Sequence, residues 1–532
     1  MRAPSAIAIT LDSPRSWLTS RGRFFAKSRY GLRDAPHYHG RIERTGCNQA
    51  VAFDELVSKT ATVETSIVDT QGKSGIDIKT VEDAIRLVEA SKLTHIKVGL
   101  SDVDGILRGK YLRKDKFVCA LRSGFAFCSV VLGWDADDQM YDNASYTGWH
   151  TAYPDAQVRI IPQSCRRLPL EIMNGEPMLF FLAEFAGDAE DICPRGVLRR
   201  VIKRAGDLGY DVYSALEYEF FVFEETPHSV REKNYQNLKS WTPGNFGYSI
   251  LRSTVNSDFY RDLIDMTETM DMPIEGLHTE TGPGVLEAAL AVDEALAMAD
   301  KAMLFKCFTK ALAQRNGLMA TFMAKWSHNE PGQSGHIHMS LRERESGKSA
   351  FHDESRPHNM SVVQEHFIAG VQQFLPEFMS MYGQTVNSYS RLVPGYWAPL
   401  DATWGVENRT TALRLIPGTE KSQRVEVRIG SADANPYIAL AAALGAGLHG
   451  IEHKLKLQPI VTGNAYTQQF PDHLKLPSSL WDAAQRLRAS AVGRELFGDA
   501  FVEHFVATRE WEERQFRRHV TDWELKRYFE II

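Results

Sequence analysis

The stretch Ala215-Leu-Glu-Tyr-Glu-Phe-Phe-Val-Phe223 reads as a β-strand that carries Glu217 and Glu219 two residues apart. Side chains alternate between the faces of a strand, so both carboxylates project from one face and the apolar residues between them from the other. Two more stretches repeat the pattern: Gly335-His-Ile-His-Met-Ser-Leu341 with His336 and His338, and Gln423-Arg-Val-Glu-Val-Arg-Ile429 with Arg424, Glu426 and Arg428. Together they predict a sheet with carboxylates, imidazoles and guanidiniums on one face. Carboxylates with imidazole hold divalent cations, and arginines hold phosphate and carboxylate anions. So much charge in a sheet is costly unless ligands compensate it. The pattern therefore points to an active site for Mg or Mn, nucleotide phosphates and an acidic substrate.

Composition agrees with an enzyme. At 532 residues the chain is long enough for two or three domains with large cores. A net charge of -6 gives no sign of a nucleic-acid binder. No apolar run reaches the roughly 18 residues a membrane helix needs, so no membrane span is expected. Cys47, Cys119, Cys128, Cys165, Cys193 and Cys307 are scattered and form no CxxC, which suits free thiols and a cytoplasmic location.

Residues 1–76 differ from the rest. Up to Arg44 there are nine Lys/Arg against three Asp/Glu, with many serines and weak periodicity. A disordered extension is expected there, with organellar targeting by residues 1–45 as the alternative. Val81–Ala90 has helical spacing, and the following stretch reads as strand, turn at Asp104-Gly105, strand. That suggests a small α+β domain over 77–185. The remainder, 186–532, forms a second unit. It opens with a helix at Pro194, contains a turn-rich inserted loop at 226–262, and has a long helix stopped by Asn316-Gly317. Asn435-Pro436 starts another helix, and the charged C-terminal stretch is helical.

Three phosphate-loop look-alikes fail. The GKS triplets at Gly72 and Gly347 have Ile67 and Arg342 where a Walker A loop needs glycine. Gly445-Ala-Gly-Leu-His-Gly450 fits GxGxxG but lies inside an Ala-rich helical pattern with no strand before it, which implies close helix packing. His37 and His39 read as solvated.

Glu280 and Glu287 flank a Gly-Pro-Gly turn, with Glu275 five residues upstream. With Glu217, Glu219, His336 and Glu426 they make six ligands for hard cations, enough for two or three ions with positions left for phosphate oxygens.

These motifs resemble the glutamine synthetase superfamily over roughly residues 90–530. Glu-Tyr-Glu-Phe-Phe (217–221) resembles its paired-glutamate strand, His278–Glu287 its second acidic motif, and Pro331–Leu341 its histidine strand. Asn387–Tyr396, Glu407–Ile416 and Arg424–Tyr437 resemble its C-terminal signature. The resemblance implies an α+β fold: an N-terminal β-grasp domain plus a catalytic domain with a curved antiparallel sheet flanked by helices. It implies that Glu219, Glu280 and Glu287 form a first metal site and that Glu217, His336 and Glu426 form a second. Arg391 and Arg428 match arginines that hold glutamate and the transferring phosphoryl group; Arg409, Arg414 and Arg424 match those at the phosphates of ATP. Glu275, His338 and Ser340 match nucleotide contacts, and Gly332 matches a glycine at the amino-acid site. It also implies a ring homo-oligomer, such as a dodecamer, with active sites between subunits.

Two positions depart from the family. Ammonia-using members carry a glutamate directly after the VPGY-type segment, where it takes a proton from ammonium; here that position is Trp397, which cannot accept one. Their β-grasp aspartate, which binds ammonium, falls near Cys128. An indole suits an organic amine by apolar contact or cation–π interaction. The pattern resembles the γ-glutamylpolyamine and γ-glutamylamide synthetase branch. Asp135, Asp137, Asp138 and Asp142 are then either contacts for a polyamine's distal ammonium groups or an ordinary solvated acidic loop. The expected function is an ATP- and Mg- or Mn-dependent ligase joining the γ-carboxyl of L-glutamate to an organic amine. The alternatives are glutamine synthetase using ammonia and, in a different class, a catalytically inactive structural relative. Tyr466 lies near where some bacterial members are adenylylated, but its surroundings differ and no such control is expected.

Overall fold

The structure, a computed structural model, describes residues 76–532. The expectations for the N-terminal extension, including targeting, His37, His39 and Cys47, lie outside the described residues. Among these residues no helix is long and apolar enough to cross a membrane.

Two sheets organise the fold. The first contains β1 (His95–Ser101), β2 (Leu107–Arg113), β3 (Phe125–Cys128), β4 (Asp155–Ile160), β5 (Arg166–Met173) and β6 (Glu176–Phe185). They run in the order β2-β1-β6-β4-β3, with β5 also on β6, and the central β1–β6 pair is parallel. The helix Lys114–Ser123 packs against this sheet, and the helix Val81–Ala90 packs against that helix. Thr80 starts Val81–Ala90 with a capping box to Asp83, and Ala84, Ile85 and Val88 point to the core.

The second sheet holds the charged strands. It consists of β7 (Tyr210–Phe223), β8 (Ile274–Thr279), β9 (Val285–Leu290), β10 (Asp293–Glu294), β11 (Met319–Thr321), β12 (Gly335–Glu343), β13 (Trp404–Val406), β14 (Leu413–Ile416) and β15 (Arg424–Val427). The order is β13-β14-β15-β12-β7-β9-β8, with β10 and β11 pairing the two ends of β7. Every pair is antiparallel except β13–β14. Leu216, Tyr218 and Phe220 of β7 are buried against the helix Ala295–Arg315, so the opposite face is left to the glutamates. That helix is buried almost all round and ends at Asn316, followed by Gly317 at φ +70°.

The helices at Pro194–Asp207 and Pro436–Glu452 begin where the sequence places them. The GxGxxG stretch packs the latter helix on Val362–Tyr382: a Cβ on Gly447 would lie 2.1 Å from the Phe367 ring.

The inserted loop expected at 226–262 is instead partly helical, with helices at Pro227–Glu232, Ile250–Val255 and Ser257–Thr269. Thr226 with Ser229 caps the first around Pro227. In the last, Phe259, Leu263 and Met266 recur at helical spacing and are buried. The C-terminal stretch is two helices, Asp499–Phe516 and Asp522–Tyr528; the second starts with its own capping box at Thr521.

Candidate active site

Strand register assembles the charged residues. Glu217 of β7 lies directly opposite His336 of β12, and Glu219 opposite Glu287 of β9. His338 faces Glu426 of β15, which in turn faces Arg414 of β14. His278 of β8 faces Glu287. A period-two pattern on six neighbouring strands thus becomes one continuous charged face.

The donor set fits divalent cations. Three groups, Glu217/Glu287/His336, Glu217/His338/Glu426 and His278/Glu280/Glu287, each offer ligand atoms within 4.8 Å of one another. His278 Nε2 is 3.1 Å from Glu287, and His338 Nε2 is 3.1 Å from Glu217. Yet these nitrogens, His336 Nε2 and Glu280 Oε2 are buried without a well-formed hydrogen bond. They share a space without satisfying one another, as atoms do when they surround a common cation.

Their protonation shows how the charge is held. Burial opposes ionisation of Glu217, but His336 and His338 outweigh it and hold its carboxyl far below the usual range. Burial, with Glu287 nearby, pushes Glu219 up to about 7, although the Ser334 amide donates to its carboxylate at 2.6 Å. Burial would lower His278, but Glu280 and Glu287 raise it to about 9. His278 was not singled out in the sequence. It lies on β8 two residues before Glu280, which follows the strand's end, so the period-two spacing that found the other ligands also finds it.

The arginines divide between structure and open site. Arg414 reaches Glu426 at 2.8 Å and Glu407 at 2.9 Å. Arg424 donates to His338 Nδ1 at 3.2 Å. Arg428 pairs with Glu426. Arg391 is buried, donating to Ser334 Oγ at 3.2 Å and to the Gly430 and Ile429 carbonyls. Gly332 explains itself here: a Cβ would lie 2.3 Å from Cγ of Arg391. Arg409 lies on the exposed loop between β13 and β14 and has no hydrogen bond or ion pair among the described residues. Beside the metal-ligand face opens a cavity of about 250 Å³ lined by Glu217, Glu275, His338, Ser340 and Arg424, and also by Lys421, which the sequence reading had not picked out.

Trp397 is 55% exposed in the left-handed region, φ +60°, after Gly395 at φ +84°. Of the four acids, Asp135 is buried and accepts from the Trp511 indole at 2.9 Å. Asp138 pairs with Arg108, and Asp142 with Arg514. Only Asp137 faces solvent without a side-chain partner among the described residues.

A sheet with paired glutamates, histidines and arginines beside such a cavity suits an enzyme that handles metal ions and phosphate groups, and comparison with known proteins gives the family. The family described as "Glutamine synthetase, catalytic domain" matches residues 191–528, and the chain belongs to the glutamine synthetase family of carbon–nitrogen ligases. It is similar to type-1 glutamine synthetase 2 of Dictyostelium discoideum, with 45% identity covering 84% of this chain and 85% of the relative. It is also similar to a glutamate–isopropylamine ligase of Pseudomonas sp, 34% identical over 84% of this chain and 97% of that protein. A third relative is the gamma-glutamylethanolamide synthetase GlnA4 of Streptomyces coelicolor, 35% identical over 85% and 96%. The solved structure of apo GmaS without ligand shares the fold, with a TM-score of 0.72 at 23% identity, covering 84% of this chain and 99% of that one. Enzymes of this family use ATP and divalent ions such as Mg or Mn, which the donor set above fits.

Proposed function

We propose that this ligase joins the γ-carboxylate of L-glutamate to an organic amine through γ-glutamyl phosphate. A free carboxylate is a poor acyl donor because its leaving group would be oxide. Transfer of the γ-phosphoryl group of ATP makes phosphate the leaving group, and the amine nitrogen then attacks the acyl carbon. Glu217, Glu219, Glu280, Glu287, His336 and Glu426, joined by His278 and His338, would hold two or three ions. Bound there, Mg or Mn neutralises charge on the phosphate oxygens. Arg391 and Arg428 orient glutamate and the phosphoryl group. Arg409, Arg414 and Arg424 steady the phosphates of ATP, and Glu275, His338 and Ser340 line its cavity. On this reading residues 77–185 are the β-grasp domain and 186–532 the catalytic domain, and the chain assembles into a ring.

One observation carries the choice of amine: Trp397 stands where a proton-accepting glutamate would serve ammonia. Two relatives support it, one named for joining glutamate to isopropylamine and one for making a gamma-glutamylethanolamide. The 45% identity to a type-1 glutamine synthetase favours the ammonia reading instead. Release of ADP with ATP, glutamate and a panel of amines, against ammonium at equal concentration, decides between them. We expect at least one amine to be used far faster than ammonium, and Trp397→Glu to move the ratio toward ammonium. Apolar and cation–π contact with the indole is worth about 1 kcal/mol. Ammonium preferred by wild type over every amine tried would overturn the amine reading.

A further inference from the structure

Three buried donors near the reacting centre have nothing to donate to. They are Nε of Arg391, Nε of Arg428 and the phenol oxygen of Tyr466, each inaccessible to solvent and without a hydrogen-bond partner. Other buried polar atoms of the fold are also unpaired, but these three donors lie together and beside the arginines of the site, an arrangement that suits an acceptor held between them. The two guanidiniums and the phenol lie within electrostatic reach of one another. No carboxylate among the described residues takes the three orphaned atoms.

The position of Tyr466 is built. It sits in the short turn Ala465–Thr467, whose Ala465 amide donates to Thr410 Oγ1 at 3.0 Å. Asn408 Nδ2 donates to the carbonyls of Val461 at 3.3 Å and Gly463 at 2.9 Å. The Tyr466 amide donates to Asn464 at 3.0 Å. The turn is thus stitched to the two residues that flank Arg409. Burial pushes the phenol pKa up despite the arginines, so the oxygen keeps its proton and acts as a donor.

We propose that Tyr466 is a substrate-binding residue whose phenol O–H donates to the phosphoryl group held between Arg391 and Arg428. The assignment rests on the phosphoryl-transfer reading above and adds to it a neutral third donor. Such a donor holds a phosphoryl oxygen without adding another buried positive charge beside two guanidiniums. It serves both half-reactions, since the same group is transferred first and leaves as phosphate afterwards.

Tyr466→Phe removes the hydroxyl and keeps the ring. Binding of inorganic phosphate to the full chain loaded with ADP and Mg, measured by calorimetry, reads the contact directly. Phosphate affinity should fall about 10- to 100-fold, the range for a hydrogen bond to a charged group. ADP affinity and the melting temperature should stay at wild-type values, and kcat should fall with little change in KM for ATP. Phosphate affinity within twofold of wild type would overturn the proposal, whatever happens to kcat. If the Phe variant does not fold, Thr410→Val, which frees the turn but keeps the phenol, gives the same decision: phosphate binding must weaken, and unchanged binding refutes the role. Failure of wild type itself to bind phosphate beside ADP would overturn the phosphoryl reading and this assignment with it, and is seen before any variant is made.

Discussion

Arg428 shows why residue type matters more than charge in this site. Its guanidinium pairs with Glu426 through one nitrogen while Nε stays free, so one planar group can hold an internal acid and an external anion together. A lysine offers one compact charge on a flexible stem and cannot do both. Arg428→Lys should therefore lower kcat/KM by about 10²-fold or more, the scale of losing a preorganised donor at a developing charge. Its melting temperature should stay close to wild type. Turnover near wild type would make Arg428 a structural residue only. His504 gives a second test at this scale, of stability. Its ring is buried with neither nitrogen well paired, and burial, helped by Arg509, lowers it to about 4 from 6.5. Between those values the unfolded chain binds a proton that the folded chain refuses, so stability falls as pH drops from 6.5 towards 4. The contribution is about 1.4 kcal/mol per pH unit inside that window. Denaturant unfolding across it should show a shallower slope in His504→Phe; an equal slope would mean the imidazole is protonated in the folded protein.

At the scale of elements, the helix pair Val362–Tyr382 and Pro436–Glu452 depends on glycine. A Cβ on Gly450 would lie 2.2 Å from the His366 carbonyl and 2.7 Å from Gly370, and both obstacles are backbone. Neither can rotate away, so the helices must separate. Gly450→Ala should cost about 1–3 kcal/mol in thermal or denaturant unfolding despite the better helix propensity of alanine. A stabilised variant would show that the helices have slack. Much of this level was legible. Period two in three strands located the charged face, and Asn435-Pro436 and Asn316-Gly317 marked helix ends because caps are local chemistry. Helices within 226–262 were missed because their turns are short and polar, and Ser257–Thr269 is fixed by burial of Phe259, Leu263 and Met266 against distant elements. His278 was missed although its spacing was legible, while the stitching of the Tyr466 turn to Asn408 and Thr410 joins residues more than 50 apart in sequence. Local pattern carries no information about such pairings.

At the scale of the whole molecule, the two sheets are joined through buried polar bonds as well as apolar contact. Asn435 caps its helix and also donates to Ser101 Oγ and to the carbonyls of Asp102 and Val103 at the end of β1. Arg195 binds Glu184 of β6 at 2.8 Å and Asp300 of the helix Ala295–Arg315 at 2.9 and 3.0 Å, while the Tyr437 hydroxyl donates to Asp300 at 2.7 Å. Buried residues of both sheets belong to one continuous core. This network is asymmetric in its consequences. Arg195→Leu would leave Asp300 buried with Tyr437 alone, whereas Glu184 keeps Arg159 at 2.6 Å. Removing one partner of a buried pair typically costs about 3–5 kcal/mol, because the remaining charge stays desolvated. If the sheets unfold together, Arg195→Leu should lower the midpoint of one cooperative transition, followed in parallel by far-ultraviolet circular dichroism and tryptophan fluorescence. Asp300→Asn, whose one amide oxygen can still accept from Arg195 Nε and the Tyr437 hydroxyl while Arg195 keeps Glu184, should cost less. Two separated transitions, with only one of them shifted by Arg195→Leu, would show instead that the sheets are independent folding units and that the arginine stabilises a contact between them, not a shared core.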